Sequence, residues 1–143
     1  IPVFTSALML VPLVHRMVAP GRAVGILTVD ASSLRLDHFA GAGIGPDIPT
    51  VVAGLETEKE FTRVMLDNLL ELDVEAARAE HLAVVGRMVE SHPEIGAIVL
   101  ECTNMPPYRA DIQNLTGLPV FDIVSLVRMI HVAVQHGLPP RPA

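Results

Sequence analysis

Short unbroken apolar runs alternate along this chain with longer stretches in which apolar residues return every three or four positions. The runs have the length of fully buried strands, and the stretches have helical periodicity. Val24-Gly25-Ile26-Leu27-Thr28 is the first clear run, set off by the turn Ala19-Pro20-Gly21. Asp30 and Ser32 behind it suit the cap of a helix starting near Ser33. Thr50-Val51-Val52-Ala53, bounded by Pro49 and Gly54, repeats the pattern, and a helical segment from about Glu58 carries Phe61, Val64, Met65 and Leu69 on one face. A second amphipathic stretch, Asp73 to Glu90, places Ala76, Leu82, Val85 and Met88 at helical spacing. Ile95 to Leu100 is the most apolar run and stops abruptly at Glu101-Cys102-Thr103-Asn104. Met105-Pro106-Pro107 then opens a helix from Tyr108 to Leu115, closed by Thr116-Gly117. Pro119-Val120-Phe121 is a last short strand, after which Asp122 caps a helix that runs to about His136, before Gly137 and a Pro-rich tail.

Strands alternating with helices in this way predict an α/β fold: a four-stranded parallel sheet with right-handed crossovers, helices on both faces and the flavodoxin-like strand order 2-1-3-4. Ligands of such sheets bind beyond the carboxyl ends of the strands. Thr28, Asp30, Gly54, Cys102, Thr103, Asn104 and Asp122 all fall at that edge. There is also a partial repeat. Ile1-Pro2-Val3-Phe4-Thr5-Ser6 is similar to Leu118-Pro119-Val120-Phe121-Asp122-Ile123, and an apolar helix-like run follows each, Ala7 to Val18 and Val124 to Val134. Duplication explains the match no better than a shared way of entering a helix. If the segments are equivalent, Ile1 begins the last strand of a first lobe. The chain then divides into residues 1–20 as the remnant of that lobe, 21–122 as a second, cysteine-bearing lobe, and 123–143 as a C-terminal helix and tail.

The 143 residues make one ordinary domain, long enough to bury a core without disulfide or metal staples. Half the residues are hydrophobic and only 3% aromatic, so aliphatic side chains fill that core, as in a sheet covered on both faces. A net charge of -6 without a Lys/Arg cluster leaves no footprint for nucleic acid or a membrane surface. A single cysteine excludes a disulfide framework within the chain and a Cys-rich zinc site. The apolar stretch Ile1 to Val14 is broken by Pro12, is too short to span a bilayer and lacks a signal peptide's basic start. These features predict a cytoplasmic protein. A first residue of Ile rather than Met points to a processed, truncated or excised chain.

Cys102 is the residue best placed for chemistry. A thiolate is a base or nucleophile, and loop amides or a helix N-terminus lower a thiol's pKa from about 8.5. Thr103 and Asn104 beside it add donors for a carboxylate or an enolate-like oxyanion. The structural alternative is a small buried hydrophobe at a strand end. The six histidines show no compact ligand spacing, so no metal site is expected, and they read as solvated or helix-terminal. The methionines read as core. Gly41-Ala42-Gly43-Ile44-Gly45-Pro46 follows a helix and lacks a Lys-Ser/Thr ending, which makes it a connecting loop. A tyrosine-phosphatase loop needs five residues between Cys and Arg, whereas Cys102 and Arg109 enclose six. A receiver-like signalling or binding domain would use Asp30 and Asp122, but the one lysine, Lys59, sits at a helix start.

Ile98-Val99-Leu100-Glu101-Cys102-Thr103-Asn104-Met105-Pro106-Pro107-Tyr108, followed by Gly117-Leu118-Pro119-Val120-Phe121-Asp122, resembles the second cysteine motif of the aspartate/glutamate/hydantoin racemase family. Val24 to Thr28 is similar to the strand that opens that family's second lobe. The resemblance implies one lobe of a two-lobed enzyme that needs no cofactor and acts on a small carboxylate or amino acid. A cysteine from each lobe then flanks the α-carbon, one removing and the other returning a proton. It makes Cys102 the second acid/base, with Thr103, Asn104 and Thr28 as carboxylate-binding residues. Glutamate-type members have histidine where Asn104 stands. By the repeat, the first cysteine would lie about 16 residues before Ile1. The chain as given would therefore hold half of a two-base site, inactive as a racemase and self-associating as a homo-oligomer through uncovered helices. Relatives that decarboxylate malonates or isomerise maleate provide a one-cysteine alternative.

Overall fold

A computed structural model describes residues 4–135. Ile1 to Val3, where a first-lobe strand was expected, lie outside the described residues, as do His136 and the Pro-rich tail. Four strands, β1 (Ala23–Thr28), β2 (Thr50–Gly54), β3 (Ile95–Leu100) and β4 (Val120–Phe121), form one sheet in the order β2-β1-β3-β4. Every pairing is parallel. The register pairs Thr28 with Gly54, Leu27 with Leu100 and Val99 with Phe121, so the strands' carboxyl ends form one edge, as the sequence predicted.

Six α-helices accompany the strands: α1 (Val11–Met17), α2 (Leu36–Gly41), α3 (Phe61–Leu66), α4 (Val74–Ser91), α5 (Arg109–Thr116) and α6 (Ile123–Val134). Strand alternation sorts the core into two layers. Leu27, Ile98 and Leu100 pack with Phe61, Val85, Met88 and Ile112 of α3, α4 and α5. Val24, Ile26, Ala97 and Val99 point the other way, toward Ala7, Leu10, Val11, Val14 and Leu126 on the α1 and α6 side. Every residue of β1 is buried, as befits a strand paired on both sides and covered on both faces.

Local signals explain most boundaries. Asp73 accepts the N–H groups of Glu75 and Ala76 and so caps the stretch that begins there, and Asp122 accepts that of Ser125, the cap the sequence placed. Gly117 ends α5 with φ +66°, a left-handed conformation that costs a side-chain-free residue least. Three expectations are corrected. Asp30 caps a 3-10 turn, Ala31–Ser33, because its carboxylate takes both serine hydroxyls and the Ser32 N–H, and α2 begins only at Leu36. Leu69 lies beyond the end of α3 and is exposed. The methionines divide: Met88 and Met105 are buried, but Met9, Met17 and Met129 are exposed on the α1 and α6 side.

The buried face of α4 is Ala77, His81, Val84, Val85 and Met88. His81 is 0% exposed, contrary to the expectation of solvated histidines. Its Nδ1 lies 2.6 Å from the Ala77 carbonyl, and its ring stacks on Tyr108 at 4.2 Å and meets the edge of Phe61 at 4.4 Å. Burial lowers its pKa below the ordinary 6.5, outweighing the Ala77 carbonyl and the Glu80 charge, which raise it. The native state thus binds fewer protons here than the unfolded chain once the pH falls below about 6.5. Stability contributed by neutral His81 is complete above that pH and is lost as the pH falls through the depressed native value. We expect the thermal midpoint to drop on acidification from pH 7.5 to 5.5, with a slope from this residue of at most about 1.4 kcal/mol per pH unit. His81→Leu should flatten the profile, as measured by circular dichroism melts across that range.

Candidate functional site

Beyond β3 the chain makes a tight turn in which the Met105 N–H donates to the Cys102 carbonyl at 3.2 Å, leaving Thr103 and Asn104 at the corners. Both corner residues are exposed. Two anchors hold the turn. Glu101 N–H donates to the Leu27 carbonyl at 2.8 Å, continuing the ladder with β1, and fully buried Met105 ties the far side into the core. Pro106 and Pro107 then shape a 3-10 turn, Pro106–Tyr108, instead of the first turn of α5 itself.

Cys102 is partly buried and packs against the α4 and α5 layer. Its thiol pKa is raised, first by burial and further by the charge of Glu101, against a hydrogen bond from the Asn104 N–H that lowers it. The expectation that loop amides would lower this pKa is therefore not met, because one N–H does not offset desolvation plus a neighbouring carboxylate. A resting thiol favours the proton-donating form over the proton-accepting one.

Asn104 Nδ2 donates to Met65 Sδ at 3.1 Å. A thioether is a weak acceptor, so this amide is easily turned to a better one. Met65 is itself held in place, since the carboxylate of Glu80 on α4 accepts the N–H groups of Lys59, Glu60 and Phe61 at 3.0, 2.7 and 2.8 Å. Those bonds fix the start of α3, which has no side-chain cap of its own.

The structure brings Thr28 to Glu101 rather than to the thiol. Thr28 is buried, and its hydroxyl donates to Glu101 Oε2 at 3.0 Å. Alternation along β1 and β3 explains the pairing, since both side chains follow the rows that face the α1 and α6 side, whereas Cys102 continues the row of Ile98 and Leu100. Glu101 was missed as a site residue. The available signal was a charged residue directly after the most apolar strand, at a position where charges are seldom buried without purpose. A cleft of about 360 Å3 opens beside it, bounded by Thr5, Ser6, Leu8, Met9, Leu34, Asp37, His38, Gly41, Ala42 and Glu101.

Asp30 and Asp122 do not form an acidic cluster. Asp30 is engaged by Ser32 and Ser33, and Asp122, buried at the start of α6, is engaged by Ser125 with Arg109 3.7 Å away. Among the described residues no three His, Cys, Asp or Glu side chains come together as metal ligands, and no helix is long and apolar enough to cross a membrane.

A parallel sheet in this order, with a Glu-Cys-Thr-Asn turn beyond its third strand, defines a racemase-like α/β protein. The Asp/Glu/hydantoin racemase family matches residues 1–129, and the chain belongs to that family. It is 30% identical over 127 residues to a dimethylsulfoniopropionate lyase of Durusdinium sp. clade D, a match that covers 86% of this chain and 42% of that protein. It is 29% identical over 130 residues to dimethylsulfoniopropionate lyase 3 of Emiliania huxleyi, covering 87% of this chain and 34% of that one. The chain thus spans less than half the length of these relatives. Among solved structures, the allantoin racemase of Pseudomonas fluorescens superposes with a TM-score of 0.55 at 16% identity, over 96% of this chain and 58% of the other, which supports the fold.

Proposed function

We propose that Cys102 transfers a proton at the carbon next to the carboxylate of a small substrate, without a cofactor. Thr103, Asn104 and the turn's N–H groups hold that carboxylate, and Thr28 completes the same edge. The observation that carries this reading is the Cys102 turn, with its one thiol at the carboxyl edge of β3 followed by two exposed donors, Thr103 and Asn104. A carbon acid of this kind needs a positioned base and fixed donors for the charge that develops on its carboxylate.

Two reactions begin with that step. Racemisation requires a second acid on the opposite face, and these 143 residues contain one thiol. Elimination requires only a base when the leaving group departs as a neutral molecule. For dimethylsulfoniopropionate, the substrate in the names of the lyase relatives, the Cys102 thiolate takes the α-proton. The C–H electron pair becomes the C=C bond of acrylate, and the C–S pair leaves with neutral dimethyl sulfide. No acid is needed at sulfur. The lyase relatives favour elimination as the first reading, with two-cysteine racemisation the alternative that follows from the family.

The experiment is to incubate the chain with dimethylsulfoniopropionate and assay dimethyl sulfide in the headspace. In parallel, D- and L-aspartate and glutamate are followed in heavy water for deuterium at Cα. Release of dimethyl sulfide without inversion of the amino acids is expected. Inversion by this chain would favour the racemase reading, and neither release nor exchange would overturn the proton-transfer assignment.

A further inference from the structure

We infer that Glu101 recognises an alkylated cationic group, a sulfonium or quaternary ammonium centre, on the substrate whose carboxylate and α-carbon are met by the Cys102 turn. The inference rests on the reading of that turn as the site of proton transfer and adds what determines its substrate class. Glu101 is partly buried, and one carboxylate oxygen receives the Thr28 hydroxyl. Among the described residues it has no ion-pair partner, whereas the neighbouring charges are satisfied. Asp37 across the cleft is paired with Arg35 at 3.0 Å. His38 Nδ1 accepts the Arg35 N–H at 3.1 Å. Glu101 is therefore the carboxylate whose counter-charge the cleft leaves to a ligand.

The walls favour a particular kind of cation. Leu8, Met9 and Leu34 stand around the opening, so a group coated in methyls keeps apolar contact while its charge meets Glu101. In a site partly withheld from water such an attraction is stronger than at the surface. The same carboxylate repels a second substrate carboxylate, so it selects against dicarboxylates such as aspartate as well as for onium compounds. Glu101 and Cys102 are adjacent and face opposite sides of the strand end, so the substrate of this inference lies across that end, with its cation in the cleft and its carboxylate at the turn. An onium ion at Glu101 also offsets the charge that adds to burial in raising the Cys102 thiol's pKa.

The test separates this role from proton transfer by using a probe without carboxylate or α-proton. The intact chain is titrated with tetramethylammonium chloride and, at matched ionic strength, with uncharged tert-butyl alcohol, and backbone amide shifts are followed by NMR. Tetramethylammonium should shift residues around Leu34, Ala42 and Glu101 and bind at least about tenfold tighter than the alcohol. Glu101→Gln, which keeps an acceptor for Thr28, should abolish that preference, and Asp37→Asn should preserve it. Thr28→Val, which leaves the charge but frees the carboxylate, should weaken cation binding several-fold and provides a second reading if Glu101→Gln does not fold. Equal binding of the two probes, a preference retained in Glu101→Gln, or shifts confined to another part of the fold would overturn the inference. Cys102→Ala should bind tetramethylammonium as the unsubstituted chain does, so loss of turnover with cation binding intact bears on the thiol alone.

Discussion

Cys102→Ala will reduce dimethyl sulfide release, or α-proton exchange where that is the reaction measured, by about 10²- to 10⁴-fold, the range expected on removing a positioned general base. Cys102→Ser should fall nearly as far, because a hydroxyl holds its proton far more tightly than a thiol. Neither change should disturb the fold much. Cys102 is only partly buried, and the turn around it is held by the Glu101 and Met105 backbone bonds and by the buried Met105 side chain. Melting curves of the variants should therefore stay close to that of the parent, which distinguishes lost chemistry from lost structure. The pH dependence adds a second check. Burial and the Glu101 charge raise the thiol's pKa, so the thiolate fraction is small near neutrality and grows with pH. The rate, and the rate of alkylation by iodoacetamide, should climb through the alkaline range with a midpoint above that of a free thiol. Glu101→Gln should move the alkylation midpoint down. A midpoint at or below the free-thiol value in the unsubstituted chain would contradict the electrostatics described for the turn.

The chain should self-associate, with a solution mass above the 15.4 kDa of one copy. The α1 and α6 side of the sheet carries a concentration of apolar residues that the core does not absorb. Met17 is 63% and Val132 72% exposed, and Leu13, Val127, Met129 and Val134 are exposed as well. α6 buries Leu126 and leaves most of its remaining apolar residues near solvent. Patches of this kind mark association surfaces, and covering one residue of that size contributes about 1.5–3 kcal/mol. A double substitution, Met17→Lys with Val132→Lys, should shift sedimentation toward the single-copy mass and leave the circular dichroism spectrum unchanged. A monomer at concentrations of tens of micromolar would refute the association without touching the assignment of Cys102.

Periodicity carried the strands and most helix boundaries, because a buried parallel strand and an amphipathic helix impose different spacings on apolar residues, and the alternation of the two with right-handed crossovers carried the strand order. The Asp122 cap and the Gly117 stop were legible because each depends on a residue and its immediate neighbours. So was the position of Cys102 at the sheet's carboxyl edge. The position of His81 was not. A histidine in a helix reads as polar, and only the packing of α3 and the Pro106–Tyr108 turn against α4 shows that Phe61 and Tyr108 enclose its ring.

The site divides along the same line. Local residue order supplied the Cys102-Thr103-Asn104 group, because a turn that follows a buried strand is a local event. The pairing of Thr28 with Glu101 joins residues 73 positions apart and depends on which face of β1 and β3 each side chain occupies. The thiol's raised pKa depends on how deeply the α4 and α5 layer buries it, and the lack of an ion-pair partner for Glu101 among the described residues is visible only in the folded chain. Charge type and turn propensity belong to single residues and their neighbours and are written in the chain's order. Desolvation and ion pairing belong to distances across the sheet, which exist only once the chain has folded.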